Sequence, residues 1–280
     1  MLRLTILFLS FFVAGCGQTG VEDQAPTDRP TRIVSLDFCA DQYVLKLVEP
    51  EHILAVSPDA VEPFSYMRET AIGVPSVRPT AEDVLILKPD LVVRSYGGGP
   101  NATAFFERAG IPVLNIGWAS TIHDAEINSI PSVIRQVADG RGASERGEAV
   151  AQDYIDRLAA FEDKADGNST LYMTPAGVTS GGNSLIHEAI TTVGLSNFAN
   201  QPGWHSLPLE RLAYERPELV ATAYFDTRTN HDTSWSPSRH PIAQRELTQS
   251  ERVDLEGAWL SCGGWYILEA IEALAEGAAE

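Results

Sequence analysis

The sequence predicts an α/β protein made of two Rossmann-like lobes, each built on a parallel-type sheet, joined by one long rigid helix. Short apolar segments of strand length alternate with amphipathic segments of helical length in both halves of the chain. Such alternation is typical of a parallel sheet covered on both faces. Between the halves, a charged segment with a single apolar stripe indicates a helix that is exposed along most of its surface.

The first half contains the strand and helix signals of one complete sheet. Buried strands are expected where four to six apolar residues occur between turn formers, and helices where apolar residues recur every three to four positions. The predicted strands are 32–36, 53–56, 91–94 and 111–116, and the predicted helices are 40–48, 81–87 and 102–109.

A longer helical region separates the two halves. It is predicted as a helix over 122–137, a break at Gly140-Arg141-Gly142, and a second helix over 144–164 with Ser144 as its N-cap. In the second half, strands are predicted at 170–173, 219–224 and 252–255, and helices at 185–193, 209–214, 242–247 and 266–276. The expected division is therefore a first lobe over 31–142, a joining helix over 143–166 and a second lobe over 167–280.

The first thirty residues read as an export signal and a tether. Residues 4–13 form an apolar run too short to span a bilayer as a helix, preceded by Arg3. Val13-Ala14-Gly15-Cys16 resembles a bacterial lipobox, which predicts a signal peptide over 1–15, lipidation of Cys16, and a flexible tether over 16–30. An ordinary signal peptide with an incidental cysteine is the alternative. The expected location is the periplasm or the outer face of the cytoplasmic membrane, with the chain held by a lipid anchor.

The charge of the chain excludes one class of partner. The 280 residues include 38 acidic and 20 basic side chains, giving a formal net charge of −18 without any run of Lys and Arg. Proteins that bind nucleic acid neutralise phosphates with clustered cations. We therefore expect no nucleic acid as a partner.

One motif occurs once in each half. Residues 79–92 align without gaps to residues 207–220, and each copy has a Glu near a helix start, then a basic residue and a Pro, then a buried strand. Acids favour helix N-termini and Lys-Pro or Arg-Pro is a common helix end, which explains the residue types. It does not explain why the same order recurs, with Glu82 and Glu210 in matching positions.

Several segments together resemble the substrate-binding proteins of ABC importers that carry cobalamin, ferric siderophores or haem. They are RIVSLDFCAD, the pair TAEDVLILKPDLVV and LPLERLAYERPELV, TSGGNSLIHEAITTVGLSNFAN leading to Gly203-Trp204, and WLSCGGWYILEAIEAL. The resemblance implies a binding protein rather than an enzyme, without an intrinsic cofactor, whose ligand is a cobalt or iron chelate. It also implies an ABC permease dimer with its ATPase as partner, docked through Glu82 and Glu210.

In such proteins the ligand lies between the lobes, where strand ends and the turns after them meet. Aromatic faces would contact a large chelate, and Arg94 would meet a carboxylate or catecholate oxygen. The expected ligand-binding residues are Phe38, Cys39, Arg94, Tyr96, Trp118, Trp204, His205, Phe225, Cys262 and Trp265.

The two remaining cysteines, Cys39 and Cys262, are placed by the resemblance at the cleft side of their lobes. A permanent bond there would conflict with entry of a bulky ligand, so two free thiols are expected. A disulfide formed after export is the alternative.

Other functions remain open on the sequence alone. His205 and Tyr96 could coordinate iron if the ligand were haem. The six histidines show no metal-ligand spacing, so no metal site of the protein's own is predicted. Ser184 and His187 lie three apart, which leaves a lipid-anchored serine-type hydrolase as an alternative beside a scaffold protein, but no GxSxG motif is present and no catalytic residue is assigned.

Overall fold

Two four-stranded parallel sheets form the frame of the molecule, one from each half of the chain. The computed structural model describes residues 29–224 and 233–279. In the first sheet the order is β2-β1-β3-β4, and every neighbouring pair is parallel. Its strands are β1 (Ile33–Ser35), β2 (Ile53–Ala55), β3 (Leu91–Arg94) and β4 (Val113–Asn115).

Helices cover this sheet on both faces. They are α1 (Phe38–Leu47), α2 (Arg68–Ala71), α3 (Ala81–Ile86) and α4 (Ala102–Arg108), with short 3-10 turns at Pro50–His52 and Pro58–Val61. The helix α1 begins directly after β1 because Asp37 caps it, its Oδ1 accepting the N–H of Ala40 at 3.0 Å.

Two helices that pack against each other connect the lobes: α5 (Ile130–Gly140) and α6 (Ser144–Ala159). The prediction that the first of them starts at residue 122 was wrong. Ser129 caps α5 through a reciprocal pair of bonds with Ser132, and Pro131 occupies the first turn, so the helix begins at Ile130. The prediction of Ser144 as the N-cap of α6 was wrong: Ala143 is the residue before the first turn, and no side chain caps the helix. The helix ends at Ala159, five residues before the predicted end.

The second half repeats the plan of the first. Its sheet has the order β10-β9-β5-β7, all parallel, and β6 pairs with β8 in a separate two-stranded antiparallel sheet. The strands are β5 (Ser169–Met173), β6 (Val178–Ser180), β7 (Ser196–Asn197), β8 (Trp204–Ser206), β9 (Leu219–Tyr224) and β10 (Glu251–Glu256). The helices are α7 (Leu185–Thr192), α8 (Leu209–Leu212), α9 (Pro241–Gln249), α10 (Gly257–Leu260) and α11 (Ile267–Gly277), with a 3-10 turn at Pro237–Arg239.

The main hydrophobic core runs through both lobes. Ile33 of the first sheet, Tyr154 of α6, and Tyr172 and Tyr266 of the second lobe belong to one connected cluster of buried side chains. The Tyr154 hydroxyl also donates a hydrogen bond to the Ile122 carbonyl, at 2.9 Å. We call the region where the two lobes meet the lobe junction. Smaller clusters cover the other face of each sheet. The predicted fold class, two α/β lobes with parallel sheets joined through a long helix, is confirmed.

Among residues 29–224 and 233–279, no helix is both long enough and apolar enough to cross a membrane. The predicted signal peptide, Cys16 and the predicted tether up to residue 28 lie outside the described residues, as does Phe225.

Candidate ligand cleft and docking helices

A single buried carboxylate organises the carboxyl edge of the first sheet. Asp37 follows β1, and its Oδ2 accepts the N–H groups of Ser95, Tyr96 and Gly97 at 2.8, 3.0 and 2.8 Å. Gly97 is required here because a Cβ atom would lie 2.3 Å from the Leu36 carbonyl oxygen. The loop after β3 is therefore fixed, and the backbone of Tyr96 with it. We did not single out Asp37 from the sequence, although an acid between a strand and a helix is a detectable signal.

Aromatic side chains gather on this edge. The ring of Phe38 meets Phe64 edge to face at 5.0 Å between centroids, and it meets Tyr96 at 6.3 Å. Tyr96 is exposed, and so is Trp118 in the loop after β4. Phe64 belongs to the loop after β2 and was not predicted. The structure thus brings Phe38 and Tyr96 together and adds Phe64.

The second lobe also exposes aromatic rings. Trp204 of β8 lies edge to face with Tyr172 at 5.9 Å and remains exposed on its other side. Tyr224, the last residue of β9, is exposed at the carboxyl edge of the second sheet. Tyr224 was missed because the prediction chose its neighbour Phe225. Both lobes therefore present aromatic side chains to solvent.

The two cysteines form a disulfide, so the expectation of free thiols was wrong. Cys39 lies in the first turn of α1 and Cys262 in the turn after α10, and their Cα atoms are 5.4 Å apart. This turn is tight, since Cys262 and Gly263 both have positive φ angles and a Cβ atom at Gly263 would lie 2.7 Å from Leu185 Cδ1. Cys39 is only 3% exposed. The bond therefore joins the two lobes at a buried point of their junction.

Trp265 also lies in the lobe junction. It is 7% exposed and meets Tyr43 of α1 edge to face at 5.3 Å. Next to it, Tyr66 stacks on Tyr266 with centroids 4.6 Å apart. Trp265 is therefore buried where the lobes meet, and its role as a ligand contact stays a prediction.

Polar contacts extend the junction. The Glu188 carboxylate of α7 accepts the Thr121 hydroxyl at 2.9 Å and the Ile122 N–H at 2.7 Å. Arg68 of the first lobe forms an ion pair with Glu256 of the second at 2.8 Å. These contacts, the disulfide and the shared core hold the lobes together at several points.

Arg94 and His205, two side chains predicted to contact the ligand, form hydrogen bonds within the protein. Arg94 is buried, and its Nη1 and Nη2 donate to the Thr103 hydroxyl and the Gly99 carbonyl at 2.9 and 3.1 Å. His205 directs Nδ1 to the Ser206 carbonyl at 2.9 Å, which requires the proton on Nδ1. Its Nε2 is enclosed and has no hydrogen-bond partner among the described residues. Arg94 therefore supports its own lobe and is not open to a ligand.

Burial and nearby acidic groups raise the pKa values of two side chains at this edge. Partial burial, with the nearby charges of Asp37, Asp59 and Asp41, raises the pKa of the Tyr96 phenol. Burial also raises the pKa of Asp41 to about 7, although Ser57 donates to this carboxyl from its N–H at 3.1 Å and its hydroxyl at 2.5 Å. Tyr96 is thus a neutral phenol at physiological pH.

The hydrogen bonds of Ser184 and His187 support α7 and the chain around it. Ser184 caps α7: its hydroxyl accepts the N–H of His187 at 3.1 Å and donates to the Gly181 carbonyl at 2.8 Å. The His187 ring faces Asn197, with Nδ1 3.3 Å from the amide nitrogen. The residues described in the structure contain no group of three or more His, Cys, Asp or Glu side chains that could hold a metal ion.

Glu82 and Glu210 occupy equivalent, exposed positions at the starts of α3 and α8. Neither side chain has a hydrogen-bond or ion-pair partner within the described residues, whereas Asp83 beside Glu82 is paired with Arg78 at 2.8 Å. Two residues after each Glu, Val84 and Leu212 are fully buried. The repeated motif therefore anchors each helix on its lobe and leaves one free carboxylate outside.

The same fold occurs in known binding proteins. A periplasmic haem-binding protein from Pseudomonas aeruginosa is 22% identical with a TM-score of 0.67, over 89% of this chain and 92% of that one. The periplasmic vitamin B12 binding protein of Vibrio cholerae is 16% identical with a TM-score of 0.61, over 90% and 97% of the two chains. An ABC transporter substrate-binding protein from Listeria monocytogenes EGD-e is 14% identical with a TM-score of 0.63, over 89% and 98%.

Sequence comparison leads to the same class. Among curated protein sequences, none is significantly similar to this chain. A family model described as periplasmic binding protein matches residues 33–230, which is more than half of the sequence and includes strands of both sheets. With the two-lobed fold and the motifs of both halves, this match shows that the chain belongs to the periplasmic binding protein family.

Proposed function

We propose that this protein captures a metal chelate, either cobalamin or a ferric siderophore, between its lobes and delivers it to an ABC permease dimer with its ATPase. The observation that carries the proposal is the set of aromatic side chains exposed by the two lobes, Tyr96 and Trp118 in one and Trp204 and Tyr224 in the other. Aromatic faces supply large contact areas to a bulky, partly planar ligand at low cost in side-chain entropy.

The polar groups of the cleft favour a chelate whose metal is already fully coordinated. Tyr96 has a raised phenol pKa, so forming a phenolate there is costly, and the Nε2 of His205 is enclosed. Neither group therefore offers a ready ligand to an open coordination position. Cobalamin and ferric siderophores bring their own donor atoms, so the protein needs to recognise only their shape and outer surface.

Haem is the second candidate. Its support is the structural similarity to the Pseudomonas aeruginosa haem-binding protein and the exposed hydroxyl-bearing ring of Tyr96. Haem would require an axial ligand from the chain, and the protonated phenol of Tyr96 makes this arrangement less favourable than binding of a saturated chelate.

Delivery requires docking to a membrane partner. We assign this role to Glu82 and Glu210, because both carboxylates are exposed and unpaired among the described residues and lie at matching positions of the two lobes. Exposed charges of this kind steer association and fix its register more than they add stability. Lipidation of Cys16 would hold the protein near the membrane, and we propose binding rather than catalysis as its whole activity.

The proposal is tested by titrating the protein with cyanocobalamin, hemin, ferrichrome and ferric enterobactin while following tryptophan fluorescence. We expect quenching at one-to-one stoichiometry by a cobalamin or siderophore. Trp204→Ala should weaken that binding by about tenfold, since an aromatic face is lost. The matched control is Tyr214→Ala, which removes an exposed aromatic ring from the end of α8 and should leave the affinity unchanged.

Tight binding of hemin, with no binding of the other three compounds, would show that haem is the ligand instead. If none of the four compounds binds, the proposed ligand class is wrong.

A further inference from the structure

The two docking helices expose an apolar side chain at the same place. Ile86 lies four residues after Glu82, and Tyr214 lies four residues after Glu210, so the two align in the repeated motif. Ile86 is 76% exposed and Tyr214 is 91% exposed. An exposed large apolar residue carries little information alone, but its recurrence at equivalent positions of two lobes calls for a common cause.

Local geometry places each apolar residue beside its carboxylate. Positions four apart lie on the same side of a helix, and Ile86 is the last residue of α3. The helix α8 ends at Leu212, but the turn continues, since the Tyr214 N–H donates to the Arg211 carbonyl at 3.0 Å. The helical spacing therefore places an acidic residue and an exposed apolar residue on the same side of each helix, while Val84 and Leu212 between them are buried.

The basic residues of the motif do not share this equivalence. Lys88 and Arg216 follow at aligned positions, but Arg216 pairs with the buried carboxylate of Glu246 at 3.1 Å. This cation supports its own lobe. Only the acidic and apolar positions are free and equivalent on both helices.

We propose that Ile86 and Tyr214 are permease-contact residues, and that each permease pocket combines a cationic group for the Glu with an apolar wall for the residue four positions later. This inference rests on the proposed function and adds a second chemical component to the docking surface. The carboxylates set the rate of association, because charges act at a distance. The apolar contacts set the lifetime of the complex, because they form only after water is excluded.

The experiment measures binding kinetics of the full chain on the organism's own permease–ATPase complex in nanodiscs. Ile86→Ser and Tyr214→Ser should each raise the dissociation rate by about tenfold with little change in association rate, as expected for a lost apolar contact. Glu82→Gln and Glu210→Gln should instead lower the association rate and its dependence on salt. Ile86→Leu and Tyr214→Phe should retain wild-type kinetics, because both keep the apolar surface.

The control variant is Ile127→Ser, which removes a 71% exposed isoleucine from the connection before α5 and should bind as the wild type does. Dissociation of Ile86→Ser and Tyr214→Ser within twofold of the wild type would overturn this inference, even if the Glu variants fail to dock. If the wild-type protein binds the permease complex no better than an unrelated protein does, the proposed function itself fails. Ligand affinity, measured in parallel by fluorescence, should be unchanged in every variant.

Discussion

Two acidic side chains near the start of α1, Asp37 and Asp41, are buried in different ways. Asp37 accepts four backbone N–H groups, from Ala40 and from the three residues of the loop after β3. Asp41 accepts two bonds from Ser57 and lies fully inside the lobe. Desolvation outweighs these two bonds and raises the pKa of Asp41 to about 7. Asp41 therefore holds its proton at pH values where an exposed aspartate is ionised.

The raised pKa of Asp41 makes stability depend on pH. Between pH of about 4 and 7 the unfolded chain has lost this proton while the folded protein retains it, so folding is linked to proton uptake. The contribution of Asp41 is therefore fully present below about pH 4 and falls by up to about 1.4 kcal/mol per pH unit until about pH 7. Asp41→Asn copies the neutral acid and lacks this titration. Urea unfolding should show the wild type losing stability relative to Asp41→Asn as pH rises through this window, then no further change.

All other carboxylates are common to both proteins, so their titrations cancel in the comparison. A constant difference between the two proteins from pH 4 to 8 would show that Asp41 ionises normally in the folded state.

At the scale of elements, local sequence signals located most strands of the two sheets but not every helix end. The first helix of the region between the lobes was predicted to start at 122. In the structure Ile122 is buried in a loop and its N–H donates to Glu188, far away in sequence, so the local pattern was misleading. The two-stranded sheet of β6 and β8 was missed for a related reason: each strand has three residues, and only their pairing with each other, across α7 and β7, defines them.

The cap at Ser129 determines where α5 begins. Its hydroxyl accepts the Ser132 N–H at 3.1 Å, donates to the Ala125 carbonyl at 2.9 Å, and is buried. Ser129→Ala should lower the free energy of unfolding by about 1–2 kcal/mol, because the Ser132 N–H and the Ala125 carbonyl lose their side-chain partner at the helix start. Urea denaturation measures the change. The matched control is Ser144→Ala at the start of α6, where no side-chain cap bond forms, and this variant should be within about 0.5 kcal/mol of the wild type.

At the scale of the whole molecule, the lobe junction was the least predictable feature. The two lobes, and most aromatic residues at their edges, could be predicted because strand ends are located from local sequence patterns. It could not show that Cys39 and Cys262, separated by 223 positions, come within bonding distance. Nor could it assign Trp265 to the core, since that burial depends on Tyr43 in the opposite lobe. Contacts between the lobes join residues far apart in the sequence, which local patterns do not reveal.

From the contacts at the lobe junction we expect the disulfide to raise the stability of the protein without being the only contact that fixes the arrangement of its lobes. Closing so long a loop restricts the unfolded chain, so Cys39→Ser/Cys262→Ser should lower the free energy of unfolding by about 4 kcal/mol in urea. The shared core, the Tyr66–Tyr266 stack and the Arg68–Glu256 ion pair remain in this variant. We therefore expect its small-angle scattering curve to superimpose on that of the wild type, and the wild-type curves with and without ligand to differ little.

Wild-type protein treated with a thiol reductant is the control, because it loses the same bond without any substitution and should unfold at the same urea concentration as the double variant. A larger radius of gyration in both samples would show that the disulfide alone fixes the cleft. Equal stability of the oxidised and reduced proteins would instead mean that the unfolded chain is already compact at the junction, since a bond between residues that remain close removes little entropy. Under the arrangement seen here, stability changes and shape does not, because the covalent bond and the buried aromatic contacts hold the same two surfaces together.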